Sequence, residues 1–111
     1  MASKQKVAVY GTLKLGHYNN HWLGDDARIL SQETIEGYGM YSLGSFPAVR
    51  PEEGTIHIEV WEISDLRPLD RLEGYPRMYN RKKVKTSVGD AWLYIGNFNF
   101  NGLTKVENGE W

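Results

Sequence analysis

The chain has 111 residues, no cysteine and a formal net charge of −1. A chain of this length can form one domain, residues 1–111, with a core of its own. The lack of cysteine excludes disulfides, thiolate catalysis and cysteine-ligated zinc, and the near-zero charge gives no electrostatic reason to expect binding to nucleic acid or to an anionic membrane. The polar start, MASKQK, has no hydrophobic signal core, so a cytoplasmic protein is expected.

Three elements are predicted in the first part of the chain. Alternating residues predict a strand over residues 6–10. Residues 19–24 favour a short helix with Asn19 or Asn20 as its N-cap. Residues 27–41 mix β-branched, polar and glycine residues, which is typical of a bent or bulged strand.

The middle of the chain predicts a loop followed by a strand. The stretch SLGSFPAVRPEEG, residues 42–54, is rich in glycine and proline and predicts a loop. Its Glu52 and Glu53 are expected to be solvated. The stretch TIHIEVWEI, residues 55–63, alternates in polarity and predicts a strand.

A short helix is predicted over residues 65–73. Ser64 or Asp65 is a good N-cap, and Gly74 is a good residue to end a helix. The leucines between them are three residues apart, which gives the helix an apolar face.

The last part of the chain predicts a hairpin and a packed tail. Residues 79–88 and 90–98 read as two strands joined by a tight turn. The tail is expected to pack on the body because Trp111 is costly to leave in water. The order of elements favours an α+β fold around a strongly curved sheet, either open or closed into a barrel.

One carboxylate falls on the apolar face of the predicted helix. Leu66, Leu69 and Glu73 are spaced at i, i+3 and i+7 and therefore share one side of it. Burying an unpaired carboxylate is expensive, so Glu73 must pair, raise its pKa or face a cavity. The alternative is that it turns outward to Arg77 or another basic neighbour.

A glycine interrupts the chain directly after the first predicted strand, in VAVYGTLKLGHYNNHWL. Gly11 either provides a corner with positive φ or begins a loop whose backbone N–H groups hold an anionic ligand. The spacing does not match the phosphate-binding P-loop.

No metal or cofactor site is predicted. His17 and His21 are four residues apart, but the local sequence supplies no third ligand. The hydroxyl residues lack the histidine and aspartate arrangement that nucleophilic catalysis requires.

Several stretches together resemble the γ-glutamylcyclotransferase-like family, which includes γ-glutamylamine cyclotransferases and AIG2-like proteins. The first is VAVYGTLKLGHYN, which is similar to the family's Y-G-T-L signature followed by a basic residue, Gly and Asn. The second is LDRLEGYPRMYNRKKV, which resembles L-D-x-x-E-G followed by Y-x-R. The shorter stretches GSFPAV, IEVWEI and NGEW are also similar to family segments, although Ile58 stands where the family usually has glycine.

The resemblance implies a small mixed β-barrel with short flanking helices and a reaction on a small γ-glutamyl substrate. In that reaction a γ-glutamyl amine or amino acid cyclises to 5-oxoproline and releases the amine, with no cofactor. Glu73 matches the glutamate that acts as acid and base in the family. The substrate would be held by the following residues: Tyr10, Gly11, Thr12, Leu13, Asn19 and Tyr79.

Two alternatives to the enzyme remain at this stage. One is a non-catalytic protein that binds a small metabolite on the same scaffold, because fold resemblance does not prove activity. The other is an interaction module whose aromatic residues form a partner surface. The sequence does not identify the leaving amine or the oligomeric state.

Overall fold

The computed structural model describes residues 4–111 and contains one mixed sheet of six strands in the order β4-β5-β1-β3-β2-β6. The strands are β1 (Gln5–Val9), β2 (Arg28–Ser42), β3 (Pro47–Ile63), β4 (Tyr79–Thr86), β5 (Gly89–Gly96) and β6 (Thr104–Lys105). The β1–β5 pair is parallel and the other pairs are antiparallel. The sheet curls into a half-barrel, which agrees with the predicted curvature and α+β class.

Two long strands, β2 and β3, form the main hairpin of the sheet. The register between them shifts at Ile29/Ser31 and again at Glu36/Tyr38, so the predicted bulged strand is confirmed. The predicted loop over residues 42–54 is wrong for most of its length, because β3 begins at Pro47 and only residues 43–46 connect the strands. Pro51 is tolerated because it lies beside the second bulge, where the hydrogen-bond ladder is already disturbed.

Glu52 is not solvated, so the prediction for this residue is wrong. Its carboxylate accepts hydrogen bonds from Tyr41 Oη (2.9 Å) and Arg50 Nε (2.7 Å), and Lys105 Nζ lies 3.2 Å away. These partners lie on β2, β3 and β6, so Glu52 connects three strands of the sheet.

One α-helix, α1 (Arg67–Glu73), packs on one face of the sheet through Leu66 and the fully buried Leu69. It begins two residues later than predicted, with Leu66 as the N-cap in place of Ser64 or Asp65, while Asp65 Oδ1 accepts the Arg67 N–H at 3.0 Å. Gly74 adopts the left-handed conformation at φ 66° and ends the helix as predicted.

The segment between β1 and β2 contains a short 3-10 helix, Asn20–Leu23, where a helix was predicted. Asn19 is its N-cap by position, but its side chain makes no capping hydrogen bond. The Asn19 amide instead donates to Thr12 Oγ1 at 3.0 Å, so it ties this helix to the end of β1.

The C-terminal tail packs against β3, as predicted. His57 N donates to Gly109 O at 2.8 Å, and half-buried Trp111 packs against one of the two apolar clusters. A Cβ on Gly109 would lie 2.1 Å from Thr55 O, so only glycine allows this close approach.

Candidate active site

A cavity of about 300 Å³ opens between the end of β1, the start of β3 and the C-terminal half of α1. This volume lies at the lower end of the range for small-molecule sites. The lining residues are Ala8, Val9, Tyr10, Gly11, Thr12, Leu13, Tyr18, Asn19, Phe46, Pro47, Arg71, Leu72, Glu73, Gly74, Met78, Tyr79 and Tyr94.

The segment after β1 lies against the beginning of β3. Its residues Tyr10–Leu13 are all buried. A Cβ on Gly11 would lie 2.6 Å from Pro47 Cγ, so a larger residue would push β3 away. Gly11 does not have a positive φ, so the first of its two alternatives, a positive-φ corner, is wrong. Close packing against Pro47 requires glycine here.

The segment folds back on itself and uses its carbonyl groups. Gly11 O accepts from Lys14 N at 3.0 Å, and Thr12 O accepts from Asn19 N at 3.0 Å. Leu13 O accepts from the Asn20 side-chain amide at 2.8 Å. These hydrogen bonds fix the segment as a compact turn at the wall of the cavity.

Three backbone N–H groups of the same turn, unlike its carbonyl groups, make no hydrogen bonds within the described part of the chain. Among residues 4–111, no group accepts a hydrogen bond from the N–H of Gly11, Thr12 or Leu13. Successive unpaired backbone donors form a concave site for an anion or a polarised oxygen. The three residues that carry these donors all line the cavity.

Glu73 enters the cavity from the last residue of α1. The helix ends in a Schellman motif, in which Tyr75 N donates to Asp70 O at 2.9 Å and Gly74 N donates to Arg71 O at 3.2 Å. This sharp ending keeps Glu73 on the inward face with Leu69 and directs the chain away after it.

The Glu73 carboxylate has no hydrogen-bond or ion-pair partner among the described residues, so the alternative pairing with Arg77 is not formed. Burial raises its pKa from the ordinary 4.5 to about 7, because a charged carboxylate loses solvation in this position. Glu73 can thus exchange a proton near neutral pH.

Three tyrosines surround this carboxylate, and each already donates its phenol hydrogen elsewhere. Tyr10 donates to Tyr94 O (2.8 Å), Tyr79 to Pro47 O (2.9 Å) and Tyr94 to Asp70 Oδ1 (2.6 Å). Burial and the Glu73 charge both raise the pKa of Tyr10 and of Tyr79. The three phenols therefore stay neutral, and their hydroxyl hydrogens are already used within the protein.

Glu59 is a second buried carboxylate near the turn, and the sequence did not single it out. It is only 7% exposed. Its Oε1 accepts from Leu15 N (2.8 Å) and Trp61 Nε1 (3.0 Å), and its Oε2 accepts from Gln32 Nε2 at 3.1 Å. Glu59 therefore holds the chain two residues after the cavity-lining turn.

Lys14, the basic residue that follows Tyr10–Leu13, is the other buried charged residue for which the sequence predicted no role. It is 8% exposed, and its Nζ donates to the main-chain oxygen of Trp111 at 2.8 Å. The available signal was its position beside the glycine turn, but lysine is so commonly exposed that this position alone predicts nothing.

The structure brings all seven predicted site residues to one cavity. They come from the end of β1 and the following turn (Tyr10, Gly11, Thr12, Leu13), the N-cap of the 3-10 helix (Asn19), the end of α1 (Glu73) and the start of β4 (Tyr79). Their catalytic and binding roles remain predictions.

Within residues 4–111 no three histidine, aspartate or glutamate side chains are close enough to hold a metal ion, and no helix has the length and apolar character needed to cross a membrane.

The fold and cavity define a small α+β protein with a cavity of a size found at small-molecule sites. The model of the family described as gamma-glutamyl cyclotransferase, AIG2-like, matches residues 7–111. The chain belongs to this family.

Individual relatives match over nearly the full chain. The chain is 37% identical over 108 residues to the gamma-glutamylcyclotransferase family protein ytfP of Citrobacter rodentium, covering 96% of this chain and 94% of the relative. The solution structure of ytfP from Escherichia coli is 36% identical, with a TM-score of 0.74 and 96% of each chain covered. An uncharacterized protein from Pyrococcus horikoshii has a TM-score of 0.79 at 28% identity, covering 96% of this chain and 88% of that protein.

Proposed function

We propose that this protein is an enzyme that converts a γ-glutamyl amine or γ-glutamyl amino acid to 5-oxoproline and the free amine. The observation that carries the proposal is the Glu73 carboxylate, which has a pKa of about 7 and no partner among residues 4–111. It lines the same cavity as Gly11, Thr12 and Leu13, whose backbone N–H groups have no acceptor in that part of the chain. Membership of the family supports the same chemistry.

The reaction is a rearrangement within the substrate. The α-nitrogen of the γ-glutamyl group attacks its own γ-carbonyl carbon, a C–N bond closes the five-membered ring, and the C–N bond to the leaving amine breaks. The attacking ammonium loses two protons and the leaving amine gains two, so no co-reactant is consumed. The flexible chain must be held bent, and positioning of this kind contributes up to roughly 7–11 kcal/mol in favourable cases.

Glu73 transfers the protons. A carboxyl group whose pKa is close to the working pH can accept a proton from the attacking nitrogen and deliver it to the leaving nitrogen. This type of catalysis contributes about 10²–10⁴-fold in rate. The surrounding tyrosines cannot replace it, because their hydroxyl hydrogens are already donated to protein acceptors.

The turn amides stabilise the charge that develops on the γ-carbonyl oxygen. The N–H groups of Gly11, Thr12 and Leu13 are fixed before the reaction begins, so they need no reorganisation as the charge forms. The carbonyl groups of the turn accept hydrogen bonds from the protein itself, and the three residues that carry the donors line the cavity.

The test is incubation of the purified protein with a panel of γ-glutamyl amines and dipeptides, with 5-oxoproline measured by mass spectrometry. Release of 5-oxoproline with an equal amount of amine is the expected result, and the Glu73→Gln variant serves as the control for contaminating activity. Binding of a γ-glutamyl compound without turnover would replace the enzyme proposal with the ligand-binding alternative. Absence of both turnover and binding would overturn both.

A further inference from the structure

The mouth of the cavity is apolar. Tyr18 is 65% exposed, Met78 is 48% exposed and Leu72 is 36% exposed, and all three line the cavity together with half-buried Phe46. They account for three of the six large apolar side chains that are exposed in the described part of the chain. Such a concentration at a cavity mouth indicates a contact surface for an apolar group.

The same mouth carries one positive charge. Arg71 is exposed on α1, two residues before Glu73, and these two are the charged side chains among the residues that line the cavity. No carboxylate lies within ion-pair distance of Arg71 in residues 4–111, although Asp65 is close enough to feel its charge. Arg67, one turn earlier, is instead paired with Asp65 at 2.9 Å.

The proposed reaction dictates what must lie at this mouth. The γ-glutamyl end is held at the turn and Glu73, in the inner part of the cavity. The leaving amine is attached to the γ-carbonyl carbon, so its remaining atoms extend towards the surface residues Tyr18, Leu72 and Met78.

We propose that the mouth selects the leaving group, and that the preferred substrates are γ-glutamyl derivatives of apolar α-amino acids. This inference rests on the proposed function. The apolar side chain of the leaving amino acid packs on the mouth residues, and its carboxylate pairs with the Arg71 guanidinium. A guanidinium presents several donors in a planar fork that fits a carboxylate.

The positive charge of Arg71 also disfavours cationic leaving groups. The ammonium of a polyamine would face Arg71, and among the described lining residues the mouth has no second acidic side chain besides Glu73. Filling an apolar pocket is expected to give about 10–100-fold selectivity, and an exposed ion pair gives less, about fivefold.

The test uses four substrates that separate side chain from charge: γ-glutamyl-leucine, γ-glutamylglycine, γ-glutamyl-isoamylamine and γ-glutamyl-putrescine. For the wild type, kcat/KM is expected to be highest for γ-glutamyl-leucine and lowest for γ-glutamyl-putrescine. A higher value for the putrescine or glycine derivative than for the leucine derivative would overturn the inference.

Charge variants assign the selectivity to a residue. Arg71→Glu is expected to lower the ratio of γ-glutamyl-leucine to γ-glutamyl-putrescine turnover by tenfold or more. The glutamate would repel the carboxylate of the leucine derivative and attract the ammonium of the putrescine derivative. The matched control is Arg67→Glu, which makes the same change of charge, because Arg67 is on the same helix but does not line the cavity. An unchanged ratio in Arg71→Glu, or an equal change in both variants, contradicts the role of Arg71.

An apolar variant tests the other half of the inference. Met78→Ser is expected to reduce the advantage of γ-glutamyl-leucine over γ-glutamylglycine while leaving the effect of charge intact. If the wild type turns over none of the four compounds, the proposed function fails. The inference is then decided by calorimetric binding of the same compounds, where the same order supports selection at the mouth and equal or absent binding overturns it.

Discussion

Two glutamates lie near the turn that follows β1, and their surroundings differ completely. Glu59, on β3, accepts three hydrogen bonds, from Leu15 N, Trp61 Nε1 and Gln32 Nε2. Glu73, at the end of α1, accepts none from the described residues and faces the cavity. The protein itself supplies the hydrogen-bond donors of the first carboxylate, whereas the second lines the cavity without a partner in the described part of the chain.

The difference shows how the same side chain can serve structure or chemistry. Three donors replace the water that Glu59 loses on burial, so its charge is compensated. Because one of these donors is Leu15 N, Glu59 also holds the chain in place just after the turn. Glu73 loses water without compensation, which raises its pKa to about 7 and gives it the proton affinity that acid–base catalysis requires.

The largest expected effect is on turnover, in Glu73→Gln. The amide keeps the shape of the side chain but cannot carry a proton between nitrogens, so kcat is expected to fall by about 10²–10⁴-fold. Circular dichroism should show an unchanged fold. The matched control is Glu53→Gln, because Glu53 is exposed and outside the cavity. Wild-type turnover in Glu73→Gln would remove Glu73 from the mechanism.

The next effect is on stability, in Glu59→Ala. This change leaves three donors without their acceptor and opens space in the sheet, so the free energy of unfolding is expected to fall by about 3–5 kcal/mol. Urea unfolding followed by tryptophan fluorescence measures the loss. A change below 1 kcal/mol, roughly the value of one ordinary hydrogen bond, would contradict the anchoring role.

The third effect concerns pH. Between pH 4.5 and 7 the unfolded chain has lost a proton that folded Glu73 still holds, so the Glu73 contribution to stability falls as pH rises through this window. Above pH 7 the cost is about 3 kcal/mol. Glu73→Gln removes this titration and is expected to be more stable than the wild type at pH 8 but equal to it at pH 4. Equal differences at both pH values in urea unfolding would contradict the raised pKa.

A smaller effect is expected in Asp70→Asn, one turn before Glu73. Asp70 accepts two hydrogen bonds from Arg81, at 2.9 and 3.2 Å, and one from Tyr94 Oη. Loss of the charge should cost about 1–2 kcal/mol of stability because the pair is partly buried. Turnover should change only severalfold, and a loss as large as that of Glu73→Gln would show that Asp70 takes part in proton transfer.

The smallest effect is expected in Glu59→Gln. The retained Oε1 can still accept from Leu15 N and Trp61 Nε1, and exposed Gln32 can rotate its amide to match the new donor. Stability should fall by less than about 1 kcal/mol. A loss as large as that of Glu59→Ala would show that the negative charge, and not the hydrogen-bond geometry, holds the turn.

The sequence by itself determined the local elements and the identity of the main candidate residue. Alternation predicted the strand over residues 55–63, glycine and β-branched residues predicted the bulged β2, and Gly74 predicted the end of α1. Glu73 was found because helical spacing places it beside Leu66 and Leu69. This spacing involves residues within two helical turns of each other, so it can be read from the sequence alone.

Tertiary structure decided the features that depend on distant partners. The segment 47–54 resembles a loop by composition, yet it is a strand because β2 supplies its hydrogen bonds and a bulge accommodates Pro51. The need for glycine at position 11 arises from Pro47, 36 positions away in the chain, which leaves no room for a side chain.

Glu59 shows most clearly that local sequence does not predict a contact with a distant part of the chain. In the sequence it is one more polar residue in an alternating strand, and its neighbours Ile58 and Val60 only place it on the opposite face. Its burial follows from the Leu15 amide, 44 residues away, and from Gln32 on the adjacent strand. Local pattern determines which face a side chain takes, but the distant chain that covers that face decides whether a carboxylate there is solvated, anchored or free to react.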